Sequence, residues 1–331
     1  MTSAAPKPAI ACLGAGRMGR GIAVVFAYAG SRVRVVDFKP RDADAFAKLA
    51  GEVHDEIRQT LTMLARIGLL NTSHVEQIAG RVDVVADADA AEALSSADVI
   101  FEGLPEILAL KCEAFARASQ LAGPTPIIAS TTSTILVDDL SGSVLAPERF
   151  LNAHWLNPAF LMPLVELSPG VCTSSETTAR LKEMLERIGK VPVICAPSPG
   201  YIVPRIQGLA MNEAARMVEE GVASVEDIDK AVRYGFGFRF AVLGLLEFID
   251  WGGGDTLYHA CRYLVNALGD GRYASPDIIE RNMHDGRIGL KTGQGFLNYD
   301  GLDIAAYREG RLTEFATALQ RMGLARAPVL D

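Results

Sequence analysis

The chain is predicted to be α/β, a mostly parallel sheet domain followed by an all-α C-terminal domain. Three observations carry that prediction. Up to about residue 195, short β-branched or apolar runs alternate with stretches of helical periodicity, the pattern of a parallel sheet covered by helices on both faces. A glycine-rich turn, Gly14-Ala15-Gly16-Arg17-Met18-Gly19, closes the first of those runs. After the Pro-Ser-Pro-Gly stretch at 197–200 the strand signal almost vanishes and helical periodicity takes over.

The strands expected in order are Ile10–Leu13, Val33–Val36, Val82–Val85, Val99–Glu102, Ile127–Ser130, Phe150–His154, Leu164–Leu167 and Val191–Ile194. Between the second and third, a long helical pattern over Asp42–Gly68 and a shorter one over Ser73–Ala79 exceed what a simple crossover needs, so 42–80 is expected to form a helical arm. The sheet domain is placed at 1–197 and the helical domain at 198–331. In the latter, Ile206–Gly221, Val225–Tyr234, Phe240–Leu268 and Ser275–Asp285 read as helix. Ser224 followed by Asp227 is a start resembling a capping box, and Gly252-Gly253-Gly254 should break the third of these helices. The stretch GLKTGQGFLNYDG at 289–301 is too rich in glycine for helix and is expected to fold back over the helical domain. There is no internal repeat.

Bulk properties narrow the function. With 331 residues, 49 % hydrophobic and 22 % charged, the chain can bury a large core, in keeping with two domains. Its apolar runs fall far short of the roughly 20 residues that span a bilayer. The N-terminal MTSAAPKPAIACLG lacks the pattern of a secretory signal. Five scattered cysteines without a CxxC pair argue against a disulfide framework and against a zinc site, and suit a reducing cytoplasm. A net charge of −8 with no Lys/Arg block makes nucleic acid a poor partner.

Gly14, Gly16 and Gly19 satisfy G-x-G-x-x-G between a strand and a helix, the context that gives the motif meaning. The first glycine permits the tight turn, the second lets the backbone approach a pyrophosphate, and the third lets helix pack on strand, with Arg17 and Met18 opening the helix whose N-terminus faces the phosphates. This makes the sheet domain Rossmann-type. Asp37 ends the second strand about twenty residues further on, where a carboxylate accepts the ribose hydroxyls and repels a 2′-phosphate. NAD is therefore the expected cofactor, although Lys39 and Arg41 lie close enough to help NADP.

A lone histidine in an apolar run is commonly a core residue, and His154 in HWLNP alone decides nothing. Glu166, in PLVEL, changes that. Both lie near strand ends, and the intervening NPAFLMP turn can return the chain so that they meet. A histidine whose Nδ1–H is held by a buried carboxylate presents Nε2 as a base, the group that oxidation of an alcohol requires beside a nicotinamide. The apolar setting is expected to exclude water and so strengthen the pair. FEGLPEILALK and ASTTS end two further strands, so Glu106, Lys111 and Ser133 are candidate site residues.

These motifs, with GAGRMGRGIA, PGYIVPR, GFGFRFAVLGLLEFIDWGGGD and KTGQGF, make the sequence resemble the L-3-hydroxyacyl-CoA dehydrogenase family over nearly its whole length. The resemblance implies an NAD-binding domain, a helical domain that forms a homodimer, and a site in the cleft between the two. It implies His154 as general base, Glu166 as its partner, Ser133 contacting the substrate oxygen, and Glu106 and Lys111 contacting the nicotinamide half of NAD. Asn157 in HWLNP is a further substrate candidate. One departure stands out: where the family has Asn in G-[FY]-[IV]-x-N-R, this chain has Pro204, which offers neither side-chain hydrogen bond nor N–H. Leu49–Leu110 also contains no Lys, and Arg58 and Arg66 on the arm are the cations expected to meet CoA phosphates. The expected reaction is oxidation of a short 3-hydroxyacyl-CoA. The alternatives are a small hydroxy acid without CoA, resembling the gulonate, carnitine and pyridine-acid branches, with Arg205 or Arg239 binding its carboxylate, or a dinucleotide-binding protein without catalysis.

Overall fold

The structure, a computed structural model, describes residues 7–330; the first six residues of the N-terminal stretch read above lie outside the described residues. All eight expected strands form: β1 Ile10–Leu13, β2 Val33–Val36, β3 Val82–Val85, β4 Val99–Glu102, β5 Ile127–Ser130, β6 Phe150–Trp155, β7 Leu164–Pro169 and β8 Val191–Ile194. They make one sheet in the order β3-β2-β1-β4-β5-β6-β7-β8. The first six run parallel, β7 pairs antiparallel with β6, and β8 pairs parallel with β7. The reversal at β7 has a plain cause. The turn over 156–163 is too short for the crossover that parallel strands require, whereas helix Ser175–Arg187 provides one between β7 and β8.

Alternation along the strands sorts side chains onto two cores. Ile10, Cys12, Val33, Val35, Val99 and Phe101 face helix Arg17–Tyr28 and the arm. Ala11, Leu13, Val36, Ile100, Ile128 and Phe150 face helices Ala90–Ser95, Leu108–Ala122 and Val137–Ser141. The arm is helix Ala43–Arg66, capped by the Asp42 side chain accepting from Ala45 N at 2.8 Å, followed by Val75–Ala79. Its buried residues, Val53, Ile57, Leu61 and Leu64, recur every three or four positions and so form one stripe.

Two compact units emerge, one ending at Met211 and one beginning at Asn212, and helix Val203–Glu219 runs across that division. In the second unit, Ser224 Oγ accepts from Asp227 N at 3.1 Å, so the cap expected there forms. The helix expected over Val225–Tyr234 is α only to Ala231 and continues as a π turn over Val232–Phe236. The stretch read as Phe240–Leu268 breaks twice. One break is at the glycine run, where Gly253 has φ 95 between helices Leu245–Gly252 and Gly254–Leu268. The other lies before Gly244, whose N–H donates to Glu247 Oε2 at 3.1 Å. The stretch 289–301 does fold back: Asp250 accepts from Phe296 N (2.9 Å), Leu297 N (2.8 Å) and the Tyr299 hydroxyl (3.2 Å). Side chains at Gly289 or Gly295 would collide with Asp250, which explains why the stretch is glycine-rich. Helix Ile304–Arg321 was not anticipated, although its Asp303 cap, accepting from Ala306 N at 3.0 Å, is a start signal present in the sequence. Among the described residues no helix is long and apolar enough to cross a membrane, and no group of three or more metal-ligating side chains occurs.

Candidate active site

The glycine turn is built as its motif requires. Gly14 follows β1 at φ 101, a conformation that suits glycine, and its N–H donates to Val36 O at 2.9 Å. A Cβ on Gly19 would run into the Gly14 carbonyl oxygen, so only glycine lets the helix approach this closely. Gly16 differs: the nearest atom to a Cβ there lies 3.7 Å away, leaving exposed space beside the backbone. Helix Arg17–Tyr28 starts at that point with no side-chain cap and no acidic residue in its first turn, so its N–H groups are open to an anion. Arg17 is exposed and Met18 half-buried at this end. Asp37 follows β2 and is 5 % exposed. Arg41, weighed above as a partner for a 2′-phosphate, places its Nε on Asp37 Oδ2 instead. Oδ1 takes no hydrogen bond from the described residues. These features fit a dinucleotide with an unphosphorylated ribose.

His154 on β6 lies directly opposite Glu166 on β7, and His154 Nδ1 is 2.8 Å from Glu166 Oε2. The antiparallel register accounts for the meeting, since opposed residues of such a pair share a face of the sheet. It also revises the reading of the apolar flanks. Ala153, Trp155, Val165 and Leu167 point to the other face, into the core beneath helix Arg17–Tyr28. On their own face, His154 and Glu166 alternate with Asn152 and Ser168. Both members of the pair are nonetheless buried, His154 at 4 % exposure and Glu166 at 0 %. Glu166 Oε1 is occupied as well, accepting from Ile202 N and Val203 N at 2.9 Å each, at the start of helix Val203–Glu219. With Nδ1–H donating to a carboxylate, Nε2 is left as the acceptor, which is the tautomer a base needs.

Glu106 and Lys111 do come together, but differently from a pair of ligand contacts. Lys111 is 1 % exposed. Its ammonium donates to Glu102 Oε1 (2.7 Å) and Oε2 (2.9 Å) and to Leu104 O (3.2 Å), with Glu106 Oε2 at 3.5 Å. Glu102, fully buried at the end of β4, also accepts from Ser130 Oγ at 2.8 Å. Glu106 Oε1 gathers the loop after β5, accepting from the Thr132 hydroxyl, from Ser133 N and Thr134 N at 3.1 Å, and from Thr134 Oγ1 at 2.8 Å. Burial pushes the Glu106 carboxyl up, but those hydrogen bonds and the Lys111 charge outweigh it and leave it below the usual carboxylate range.

Ser133 is exposed on this loop, and its hydroxyl makes no hydrogen bond among the described residues. Asn157, exposed after β6, lines a cavity of about 260 Å³ together with Arg17, Arg20, Ile57 and Thr60. Arg205 is exposed on the first turn of helix Val203–Glu219; Arg239, in the second unit, lies 4.4 Å over the Phe248 ring. Arg58 is already engaged by Glu76 at 3.2 Å and Asp55 at 3.6 Å. Pro204 sits in the first helical turn, where a missing N–H is no loss.

Sequence reasoning did not single out four residues. Glu102 was legible as a charge ending an apolar strand, and Gly103, whose carbonyl backs Gly14, as a glycine after it. Asn152 carried no local signal, and Tyr201 stands at the [FY] position of the G-[FY]-[IV]-x-N-R pattern without anything local to tie it to His154. Tyr201 is buried with its ring stacked on His154, 5.0 Å between centroids and 14° between planes.

Residues 9–198 match the family described as 3-hydroxyacyl-CoA dehydrogenase, NAD binding domain, and residues 200–299 match its C-terminal domain. A probable 3-hydroxybutyryl-CoA dehydrogenase of Bacillus subtilis is 32 % identical over 87 % of this chain and 96 % of its own length. A 5-formyl-3-hydroxy-2-methylpyridine 4-carboxylate 5-dehydrogenase of Mesorhizobium japonicum is 29 % identical over 88 % of this chain and 90 % of its own. Among solved structures, the 3-hydroxyacyl-CoA dehydrogenase of Archaeoglobus fulgidus superposes with a TM-score of 0.76 at 28 % identity, covering 96 % of this chain and all of the other. Matched in its NAD-binding and its C-terminal part alike, this chain belongs to the 3-hydroxyacyl-CoA dehydrogenase family, NAD-dependent dehydrogenases that act on hydroxyl groups.

Proposed function

We propose that the protein interconverts a short-chain L-3-hydroxyacyl-CoA and its 3-ketoacyl-CoA, with His154 as general base. The observation that carries this is the buried His154–Glu166 pair at 2.8 Å, with both carboxylate oxygens satisfied. Such a pair argues against a dinucleotide-binding protein without catalysis. Gly14, Gly16, Arg17, Met18, Gly19 and Asp37 hold the cofactor, and Glu106 orders the loop that presents Ser133 to the substrate oxygen. Lys111 holds Glu106 in place. NAD, when bound, supplies the acceptor for the carbon-bound hydrogen and its electron pair. His154 Nε2 takes the hydroxyl proton, and the imidazolium that forms is stabilised by Glu166, whose other oxygen is held by the Ile202 and Val203 N–H groups. Burial of the pair strengthens that attraction.

The chain works as a homodimer in this reading, and its five free cysteines suit a reducing compartment such as the cytoplasm. The second reading, a small hydroxy acid without CoA, is favoured by Pro204 and by the prior engagement of Arg58 with Glu76 and Asp55. The Mesorhizobium relative bears the name of such an activity. Side-by-side NADH oxidation with acetoacetyl-CoA and with a panel of free 3-keto acids tests the two. Acetoacetyl-CoA is expected to react far better than free acetoacetate. Saturable activity on a free acid, abolished by Arg205→Met or Arg239→Met while acetoacetyl-CoA stays inert, overturns the acyl-CoA reading.

A further inference from the structure

Tyr201 has φ 44, in the left-handed region where a side chain is strained. Glycine would adopt that backbone freely, as Gly200 does beside it at φ 76. What tyrosine adds is a ring and a hydroxyl, and both are engaged with the site. The ring stacks on His154, and the hydroxyl accepts from Asn152 Nδ2 at 3.0 Å and donates to Thr132 O at 3.0 Å. Asn152 Nδ2 also donates to Ile135 O at 2.9 Å, so both ends of the loop carrying Ser133 are tied to this cluster. The strained backbone then leads directly into the two N–H groups that hold Glu166.

We propose that Tyr201 is a positioning residue for the dyad: its ring sets the plane of His154 and stabilises the imidazolium, and its hydroxyl locks the Ser133 loop to the same side chain. The proposal rests on His154 being the base. An aromatic face within about 6 Å attracts a cation and does less for a neutral ring, so the stack favours the protonated histidine. Burial pushes the Tyr201 hydroxyl well above its usual range, keeping it a neutral donor to Thr132. The other titratable groups acting on Tyr201 are Glu106 after β4, Glu166 on β7 and Cys195 after β8, and none is altered in the variants below.

Tyr201→Phe keeps the ring and loses the hydroxyl; Tyr201→Leu loses both. Each variant is compared with the wild type by NMR titration of the His154 ring, assigned with a His154→Gln control, by NADH binding, and by kcat and KM with acetoacetyl-CoA and NADH. In Tyr201→Leu the His154 midpoint should fall by about half a unit to one unit, the worth of a cation–aromatic contact, and kcat by at least about tenfold, with NADH affinity unchanged. In Tyr201→Phe the midpoint should stay at the wild-type value while KM rises about threefold to tenfold as the Ser133 loop loosens. A wild-type midpoint in Tyr201→Leu overturns the role of the ring. Wild-type kcat and KM in Tyr201→Phe overturn the role of the hydroxyl. Tyr201→Met replaces the leucine variant if that one does not fold. The NMR arm needs no substrate, so a wild-type protein inert toward acetoacetyl-CoA sinks the acyl-CoA reading while the titration still decides this one.

Discussion

Glu166 is committed at both oxygens, one to His154 and one to the N–H groups of Ile202 and Val203. Consequently Glu166→Gln does more than remove a charge. The two backbone donors claim the glutamine carbonyl, which turns the amide NH₂ toward His154 Nδ1 and forces that nitrogen to accept. Nε2 then carries the proton and can no longer accept one. We expect kcat to fall by about 10³–10⁴, comparable to the 10²–10⁴ lost in His154→Ala, with NAD affinity unchanged. Single-turnover kinetics and NAD titration of both variants check this; a Glu166→Gln enzyme within tenfold of wild type would mean the carboxylate merely orients the ring. The pair was legible in the sequence because a short proline-bounded turn leaves two strand-end residues little choice but to face each other. The second oxygen's partners were not, because Ile202 and Val203 lie beyond another helix and another strand.

Between elements, the joint that matters is the one from β4 to helix Leu108–Ala122, closed by the buried Lys111–Glu102 pair. Lys111 follows a strand end on the side where ligands bind, and it lies buried with its ammonium on Glu102 and 3.5 Å from Glu106 Oε2. There its charge neutralises Glu102 and reaches Glu106. Removing one partner of a buried pair strands the other charge, so Lys111→Met should destabilise the fold by about 3–5 kcal/mol. The double variant Glu102→Gln/Lys111→Met should regain much of that loss, since the only carboxylate it leaves without its cation is the partly exposed Glu106. Urea unfolding at neutral pH measures both. Equal loss in single and double variants would show that an unpaired Glu102 charge is not what destabilises the single variant.

Over the whole molecule, the unburied apolar surface calls for explanation. Helix Val203–Glu219 has no buried residue in the single chain, and Leu209 and Met211 are 71 % and 66 % exposed. Apolar residues on more than one face of a helix are the mark of a helix that packs on more than one neighbour. A symmetric dimer is the expected partner, and sedimentation equilibrium should find one at micromolar concentration. Leu209→Asp combined with Met211→Asp should shift it to monomer. A wild-type monomer at that concentration would contradict the prediction.

The sequence by itself determined the eight strands, the glycine cradle, the acid at the end of β2 and the hairpin that joins His154 to Glu166. Each of these follows from neighbours within one or two elements: a period of two, a turn that needs glycine, a connection too short to cross over. The tertiary structure alone decided that Lys111 is buried, that Arg41 lies on Asp37, and that Tyr201 stacks on the His154 ring. Tyr201 meets Asn152 and Thr132 across 49 and 69 residues of chain, and no local period or turn rule records such a meeting. It depends on how closed layers of sheet and helix leave room for one ring and two hydrogen bonds, and only the packed chain fixes that room.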